Sequence, residues 1–441
     1  PEGEPVFGAP EISVSFRVMD LLSGALRPPA IDVAGVAVRV ARDAQGRFTL
    51  AGFSALAGDA AAAPAPGLPT GALTALLEAA AAGEGMMGAL RRVSGRDLSV
   101  VFEDDVSDRD WIAAEASATL ELTPTRQAFA LSAAIFPVDE ISDPSVAPAR
   151  AFLAAERAVA DGALSAELRL DDARLPQLAQ MIPELAALRP LDARASGRLH
   201  LEADEVGRLL ALNGALRIGE GRLEGMPEGS EGFQSISLDL GWTASTGALE
   251  LSRAELRADA VHAILSGRLT PWGGAQGVQP PPGYAVDLGL PLLELTPEAG
   301  FDYVLVFDAG RLEGDLLLEE RRMEVSELYL AGADLSLTGN GSVAAAQGGV
   351  AVAARLASDG FSTEALLQHW PMAAAPGGRR WMDANVLGGR VTSLDAWVWS
   401  SPGEAPEVTL DFAFDGLSAN VVRGLAPVTD GRGTGRATLD R

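Results

Sequence analysis

The feature that most constrains the fold of this chain is an alternation of apolar and polar residues in many short segments. In Ser235–Trp242 every second residue is apolar and most of the residues between them are polar, and Val408–Phe414 repeats the pattern. Alternate side chains of a strand point to opposite faces of a sheet. A period of two therefore predicts strands that have one apolar and one polar face.

Strand-like segments follow one another along most of the chain and are separated by short turns. The 49 glycines and 27 prolines recur at short intervals and mark these turns. Short turns usually join strands that are antiparallel neighbours. We therefore predict a repeated strand-turn-strand unit rather than several unlike domains.

A long sheet of this kind must cover its apolar face. It can close into a barrel, pack against a second sheet, or curl into a trough that leaves room for an apolar ligand. Aromatic residues are only 5% of the chain. Three short helical segments are too few to cover the apolar face of the sheet. We predict a mainly β fold, an elongated curved antiparallel sheet that forms a repeating β-groove with a few short helical insertions. The alternative is a sandwich whose core is filled by its own leucines.

The composition shifts divide the chain into five segments. Segment 1–59 carries strands, including a hairpin in which Ile31–Val40 returns through Phe48 and Leu50. Segment 60–97 is an Ala/Pro-rich linker followed by a predicted helix over Thr70–Val93. The remaining segments are a repeating groove over 98–360 with helical insertions near 148–160 and 173–188, a helical insertion over 361–387, and a continuation of the groove over 388–441.

The segment Phe361–Trp399 joins two short predicted helices to a return into alternating strands. The first helix stops at a Trp-Pro pair that begins at Trp370, the second carries an Arg-Arg-Trp run (Arg379–Trp381), and a Gly-Gly-Arg run (Gly388–Arg390) precedes the strand. This order resembles the central region of the large AsmA-like proteins of the YhdP type, which are bacterial envelope proteins. The strands of segment 1–59 also look like the start of AsmA-type repeats.

The resemblance implies a fold, a function and a compartment. Proteins of the YhdP and TamB type have a repeating β-groove lined with aliphatic side chains and carry phospholipid between the inner and outer membranes. A member would be periplasmic and anchored to the inner membrane by an N-terminal helix. The sequence has no run of 18 apolar residues, so no membrane-spanning helix is expected in it. We expect it to be a piece of a longer protein that lacks this anchor.

The alternation also predicts which side chains line the groove. Apolar residues at every second position of five strand-like regions make up this set. The predicted lining residues are Leu199, Leu201, Ile236, Leu238, Leu240, Trp242, Leu249, Leu251, Leu316, Leu318, Val408, Leu410, Phe412 and Phe414.

The segment with two predicted helices has two interpretations. In the first, its apolar residues form a plug on the open edge of the groove, since tryptophans at helical spacing usually pack in a core; these residues are Leu366, Leu367, Trp370 and Trp381. In the second, Arg379, Arg380 and Arg390 contact lipid phosphates, which guanidinium groups bind well.

The composition excludes several classes of partner and cofactor. The chain has no cysteine, which rules out disulfides and thiolate metal sites, and His200, His262 and His369 lie far apart. We predict no metal and no cofactor. The 60 acidic residues outnumber 34 basic residues, all arginine, and the formal net charge of −26 repels phosphate backbones. Nucleic acid is therefore not expected as a partner.

Three local motifs have plainer explanations than the sites they resemble. Gly83–Gly88 fits the dinucleotide-binding pattern, but it lies in a predicted Ala-rich helix with no strand before it. Asn340-Gly341 is interpreted as a hairpin turn rather than a glycosylation site. The aspartates of Asp104–Asp110 lack the glycine and glutamate of a calcium loop, so they are interpreted as a solvated turn. A serine-nucleophile elbow is absent from the sequence.

We expect a non-enzymatic protein that binds phospholipid acyl chains in a long hydrophobic groove and conducts lipids between the two membranes of a Gram-negative envelope. Its partners would be phospholipids, both membranes and envelope proteins at its ends. The alternative is a structural or assembly factor for outer-membrane proteins that uses exposed strand edges. A polysaccharide-acting enzyme is disfavoured because no paired carboxylates recur on a regular repeat.

Overall fold

A computed structural model describes residues 11–16, 29–43, 48–50, 90–105, 109–141, 146–181, 183–224, 232–274, 282–346, 349–372, 376–404, 406–422 and 424–439. The fold is mainly β and is built on an open sheet, with three short α-helices in the described residues. This confirms the predicted fold class. The chain divides into two compact units, Pro1–Arg217 and Ile218–Arg441.

The first unit is a succession of strands with one short helix. Its elements are β1 (Glu11–Ser15), β2 (Ala30–Ala34), β3 (Ala37–Arg42), β4 (Phe48–Leu50), β5 (Arg92–Asp104), β6 (Trp111–Leu122), β7 (Arg126–Pro137), β8 (Ala149–Ala158), β9 (Leu164–Arg174), α1 (Leu175–Met181) and β10 (Leu191–Ala203). The strand β11 (Leu209–Leu223) contains the boundary between the units. Single 3-10 segments follow β7 and α1, at Val138–Glu140 and Pro183–Leu188.

The second unit continues the same plan. Its elements are β12 (Gly232–Thr243), β13 (Leu249–Ala258), β14 (Val261–Pro271), β15 (Gly283–Leu295), β16 (Leu305–Phe307), β17 (Ala309–Leu317), β18 (Arg322–Ala331), β19 (Ser336–Ala346), β20 (Gly349–Ser358), β21 (Phe361–Ser362), α2 (Thr363–Gln368), α3 (Pro376–Asn385), β22 (Val386–Ser400), β23 (Glu407–Ala419) and β24 (Val428–Leu439).

The strands pair mostly with their neighbours in sequence and run antiparallel, as the short turns predict. Strands β5 to β10 form one such series and strands β12 to β15 another. Strands β15 and β20 also pair antiparallel with β17 and β22, beyond the short strands β16 and β21. Strands β2 and β3 instead both pair parallel with β5. Gly35, at a left-handed φ of 67°, separates these two strands. The sheet is therefore mixed rather than purely antiparallel.

Buried residues gather in small clusters. In the first unit Leu164, Leu201 and Ala203 are buried together with Ala155 and Ala166. In the second unit a larger cluster joins the ends of several strands to α2.

Most predicted helices and hairpins agree with the structure. The segment 173–188 contains α1 and its 3-10 turn, and the segment 361–387 contains α2 and α3. The N-terminal hairpin is formed by β3 and β4, with Val40 opposite Leu50. The predicted linker at 60–69, most of the helix Thr70–Val93 and the motif Gly83–Gly88 lie outside the described residues, whereas Arg92 and Val93 belong to β5.

The helical insertion predicted near 148–160 is wrong, because β8 occupies Ala149–Ala158. Its run of alanines favours a helix in isolation. In the fold it is paired along its length with β7 on one side and β9 on the other. Pairing with two neighbours outweighs a weak intrinsic preference.

The hairpin turn predicted at Asn340-Gly341 is also wrong, because both residues lie inside the continuous strand β19. Gly341 is opposite Val325 of β18 and Ala354 of β20. A Cβ atom at this position would lie 2.8 Å from the Cα of Ala354 and would also meet the carbonyl of Ala353. The glycine is needed for close approach of strands rather than for a turn.

Asp104 is not part of a solvated turn. It is 2% exposed and accepts hydrogen bonds from Arg42 at 2.7 Å and 2.5 Å. The two residues are directly opposite each other in the parallel pair of β3 and β5. The carboxylate therefore neutralises a largely buried guanidinium and connects the two strands.

Candidate functional site

The strand registers place most of the predicted lining residues of the second unit on one side of its sheet. Residues directly opposite each other in paired strands share a face. The apolar positions of β12 lie opposite apolar positions of β13 in four pairs: Ile236 with Leu256, Leu238 with Ala254, Leu240 with Leu251, and Trp242 with Leu249.

The same face continues through the middle of the unit. Leu249 lies opposite Leu269, and Leu269 lies opposite Val286. Further pairs extend it across the next strands: Leu288 with Leu312, Leu312 with Leu328, Leu316 with Met323, and Met323 with Val343.

The face then reaches the last strands of the unit. Val343 lies opposite Val352 on β20, and Leu356 of β20 lies opposite Ala396 of β22. The predicted residues of β23 complete it: Val408 opposite Val398, Leu410 opposite Ala396, Phe412 opposite Leu394, and Phe414 opposite Val391. We call this set, from Ile236 on β12 to Phe414 on β23, the C-terminal apolar face.

The first unit has a face of the same kind, which includes Leu199 and Leu201. Leu199 begins a row of directly opposed residues that runs through Leu168, Leu153, Leu131 and Ala118. Leu201 begins the neighbouring row, which runs through Ala166, Ala155, Phe129, Leu120, Val93 and Ile31. We call these two rows the N-terminal apolar face.

These faces are only partly covered by protein. All but two of the predicted lining residues are half-buried. Leu201 is buried at 5% exposure, and Leu318 is 41% exposed because it lies in the turn after β17. A leucine in a filled sandwich core would be buried. The half-exposed residues instead leave a continuous apolar surface open on each unit.

One end of the strands in the second unit is covered by α2. The side chain of Ser362 caps this helix by accepting a hydrogen bond from the Ala365 amide at 3.0 Å. Ala365 and Phe361 are buried against other strand-end residues, and Leu366 packs beside them; the buried partners are Leu290, Leu305, Phe307, Leu330, Leu335 and Val391. At the opposite end of the same strands, Val343 and Val350 are 40% and 45% exposed.

Leu366 of the predicted plug packs against this cluster, but Trp381 does not have the buried position that the plug interpretation expects. Trp381 is 47% exposed on α3. The side chain of Trp370 is half-buried.

The three arginines predicted to contact headgroups have separate environments. Arg379 forms an ion pair with Asp302 and donates to the Leu367 carbonyl at 3.4 Å. Arg390 donates to the Gly360 carbonyl at 3.5 Å, and Arg380 is exposed. At least Arg379 thus has a structural role in attaching α3, and contact with lipid phosphates stays a prediction.

The opposite face of the sheet is polar and carries cross-strand ion pairs. Four of them recur along the second unit: Arg268 with Glu250, Arg311 with Asp287, Arg355 with Asp395, and Arg436 with Asp411. These pairs are not predictable from the sequence, because alternation indicates which residues face solvent but does not indicate which strands are neighbours.

Glu255 of β13 is the most strongly perturbed carboxylate on this polar face. It accepts hydrogen bonds from Arg253 at 2.7 Å and from His262 at 3.1 Å, and Arg257 is 2.6 Å away. The Arg253 hydrogen bond, with those of His262 and Arg257, lowers the pKa of Glu255 to about 2. Because three neighbouring groups satisfy this carboxylate, we interpret it as structural.

Residues that sequence analysis missed also contribute to the C-terminal apolar face. Leu288, Leu312, Leu328, Val352 and Leu356 all lie on it. Each follows the same period of two, so the signal that identified the other lining residues applies to them as well.

The described part of the chain offers no metal site. No group of three or more histidine, aspartate or glutamate side chains there is placed to hold a metal ion. None of the helices described combines the length and apolar character needed to cross a membrane. Comparisons with protein-family models, with curated proteins and with solved structures each gave no match.

Proposed function

We propose that the N-terminal and C-terminal apolar faces hold the acyl chains of phospholipids, and that the protein conducts lipids between the inner and outer membranes of a Gram-negative envelope. The observation that carries this proposal is the apolar face that continues from β12 to β23. In most of its pairs apolar residues lie opposite one another or opposite glycines, and most of the apolar residues are only half-buried. The resemblance of Phe361–Trp399 to AsmA-like proteins supports the same function and a periplasmic location.

The energetics of the face suit acyl chains. Each methylene moved from water to an apolar surface gains about 0.8 kcal/mol, so an acyl chain of about sixteen carbons gains roughly 10 kcal/mol before ordering costs. The residues of the face are aliphatic and aromatic and offer no directional polar groups. A chain held only by nondirectional contacts can slide along the sheet, so binding should discriminate little between lipids.

The first test compares charged substitutions on the two faces of the same pair of strands. Val343 and Val352 are opposite each other on the apolar face, whereas Ser342 and Ala353 are the adjacent opposed pair on the polar face. We expect the double variant Val343→Asp, Val352→Asp to bind fluorescent phosphatidylcholine at least tenfold more weakly. The control Ser342→Asp, Ala353→Asp should bind like the unchanged protein.

A photo-crosslinking experiment locates the lipid directly. A benzophenone amino acid placed at position 343 should form an adduct with phospholipid in the purified protein, detected by mass spectrometry, and the same group at position 342 should not. Adducts at both positions, or at neither, would contradict the proposal. Complete absence of lipid in organic extracts, together with crosslinks to outer-membrane proteins, would favour the assembly factor.

A further inference from the structure

Two tryptophans are exposed on the polar face of the sheet, both on β22. Trp397 is 52% exposed and Trp399 is 43% exposed. Because they are two residues apart in one strand, both rings project from the same face at a spacing of roughly 7 Å. Trp397 lies opposite Arg355 and Thr409, and Trp399 lies opposite Ala353 and Glu407.

The tryptophans border a shallow depression of about 320 Å³. Its lining combines indole rings with polar side chains from β19, β20 and β23. The polar residues are Asn340, Arg355, Glu407 and Thr409. We call these four residues and the two tryptophans the tryptophan patch.

Arg355, the basic residue of the patch, already has an ion-pair partner. The guanidinium carbon of Arg355 lies 4.9 Å from the centre of the Trp397 ring, and its Nε donates to Asp395 at 2.9 Å. Asp395 therefore neutralises Arg355, and the arginine in turn supports the indole ring. An arginine that is already in an ion pair binds an anionic ligand weakly.

The other polar groups of the patch remain available. In the part of the chain that the structure describes, the side chains of Asn340, Glu407 and Thr409 take part in no hydrogen bond or ion pair. Elsewhere on this face, Arg311 and Arg436 are paired with carboxylates. The patch thus combines open aromatic surface with an unused amide, hydroxyl and carboxylate.

We propose that the tryptophan patch binds a neutral polysaccharide. The apolar C–H faces of sugar rings can lie on the indole rings, while ring hydroxyls bond to Asn340, Glu407 and Thr409. The unpaired Glu407 and the net charge of −26 disfavour an anionic membrane surface or a nucleic acid. A protein interface would need a larger desolvated apolar centre, whereas this depression is only about 320 Å³ and carries four polar side chains beside its indole rings.

Titration with neutral oligosaccharides tests this proposal. The three probes are the tetramer of N-acetylglucosamine, cellotetraose and maltotetraose. Binding is measured by intrinsic tryptophan fluorescence and by calorimetry. At least one should give a saturable change, and Trp397→Ala and Trp399→Ala should each weaken its binding tenfold or more. Trp381→Ala, which removes an exposed tryptophan of α3, should leave the affinity unchanged.

Two outcomes would overturn the proposal. One is the lack of saturable binding by any of the three probes, and the other is binding that neither patch variant weakens. Circular dichroism and phosphatidylcholine binding of the same variants show whether they are folded. Since the patch and the apolar face lie on opposite sides of the sheet, loss of sugar binding with retained lipid binding separates this proposal from the proposed function.

Discussion

At the scale of single residues, the polar face is held by arginine–carboxylate contacts whose strength depends on burial. Glu255 and His262 are both largely buried, at 14% and 17% side-chain exposure, and their contact is continued by a 2.8 Å hydrogen bond between His262 and Glu294. The pair Arg436 with Asp411, by contrast, is exposed. Exposed pairs contribute little to stability, so the Glu255 cluster is the one whose titration should be measurable.

Replacement of Glu255 by glutamine should destabilise the protein by about 1 kcal/mol at pH 7, a value that allows for solvent screening. The folded pKa of about 2 lies below the ordinary value of 4.5. The ionised carboxylate therefore contributes fully above pH 4.5, and its contribution is lost as the pH falls through 2. Urea unfolding at pH 7, 4 and 3 measures the free energy of unfolding of both proteins. The difference between the unchanged protein and the variant should become smaller as the pH falls. A difference in the free energy of unfolding that does not change with pH would contradict the lowered pKa of Glu255.

At the scale of elements, close approach between strands limits which residues the sheet accepts. Gly341 in β19 has the carbonyl of Ala353 and the Cα of Ala354 next to the position of a Cβ atom. Gly388 in β22 has no heavy atom within 4 Å of that position. Both glycines lie in strands, so a comparison of their alanine variants isolates the effect of the space around the new Cβ atom.

We expect Gly341→Ala to destabilise the protein by about 1–3 kcal/mol, the usual cost of overpacking. Gly388→Ala should be neutral or slightly stabilising, because alanine has less backbone freedom to lose on folding. Thermal unfolding of the two variants measures the difference. Equal melting temperatures would show that β19 and β20 can separate locally to accept the methyl group.

At the scale of the whole molecule, each unit combines one apolar face with one polar face. The N-terminal apolar face ends at Leu199 and Leu201, and its strands carry ion pairs such as Arg198 with Glu167 on the other side. The C-terminal apolar face is backed by its own series of pairs, for example Arg311 with Asp287. A ligand that covers apolar surface in the folded state stabilises that state, because unfolding would release it.

Loading with phospholipid should therefore raise the melting temperature by a few degrees, since saturation at about 100 times Kd contributes roughly 2.7 kcal/mol. The measurement compares delipidated protein with protein incubated with short-chain phosphatidylcholine. The same treatment of the Val343→Asp, Val352→Asp variant provides the control and should give a smaller shift. An equal shift in both proteins would indicate stabilisation by a site other than the C-terminal apolar face.

Local sequence patterns predicted most of the strands and the side of the strand on which their residues lie. Leu238, Leu410 and Phe412 could be assigned to an apolar face because side-chain direction in a strand depends only on local position. The two helices after Phe361 were predictable for the same reason, since their caps and prolines act locally. These features need no information about distant parts of the chain.

Which strands are neighbours depends on contacts between distant parts of the chain, and so do the features that depend on pairing. The alanine-rich segment at Ala149–Ala158 became a strand because β7 and β9 lie on either side of it. Asp104 became buried because Arg42 lies opposite it, 62 residues away in sequence. The tryptophan patch brings together side chains of four strands. Such contacts join residues that are far apart in the chain. A local sequence pattern does not predict them, because their free energy depends on both partners.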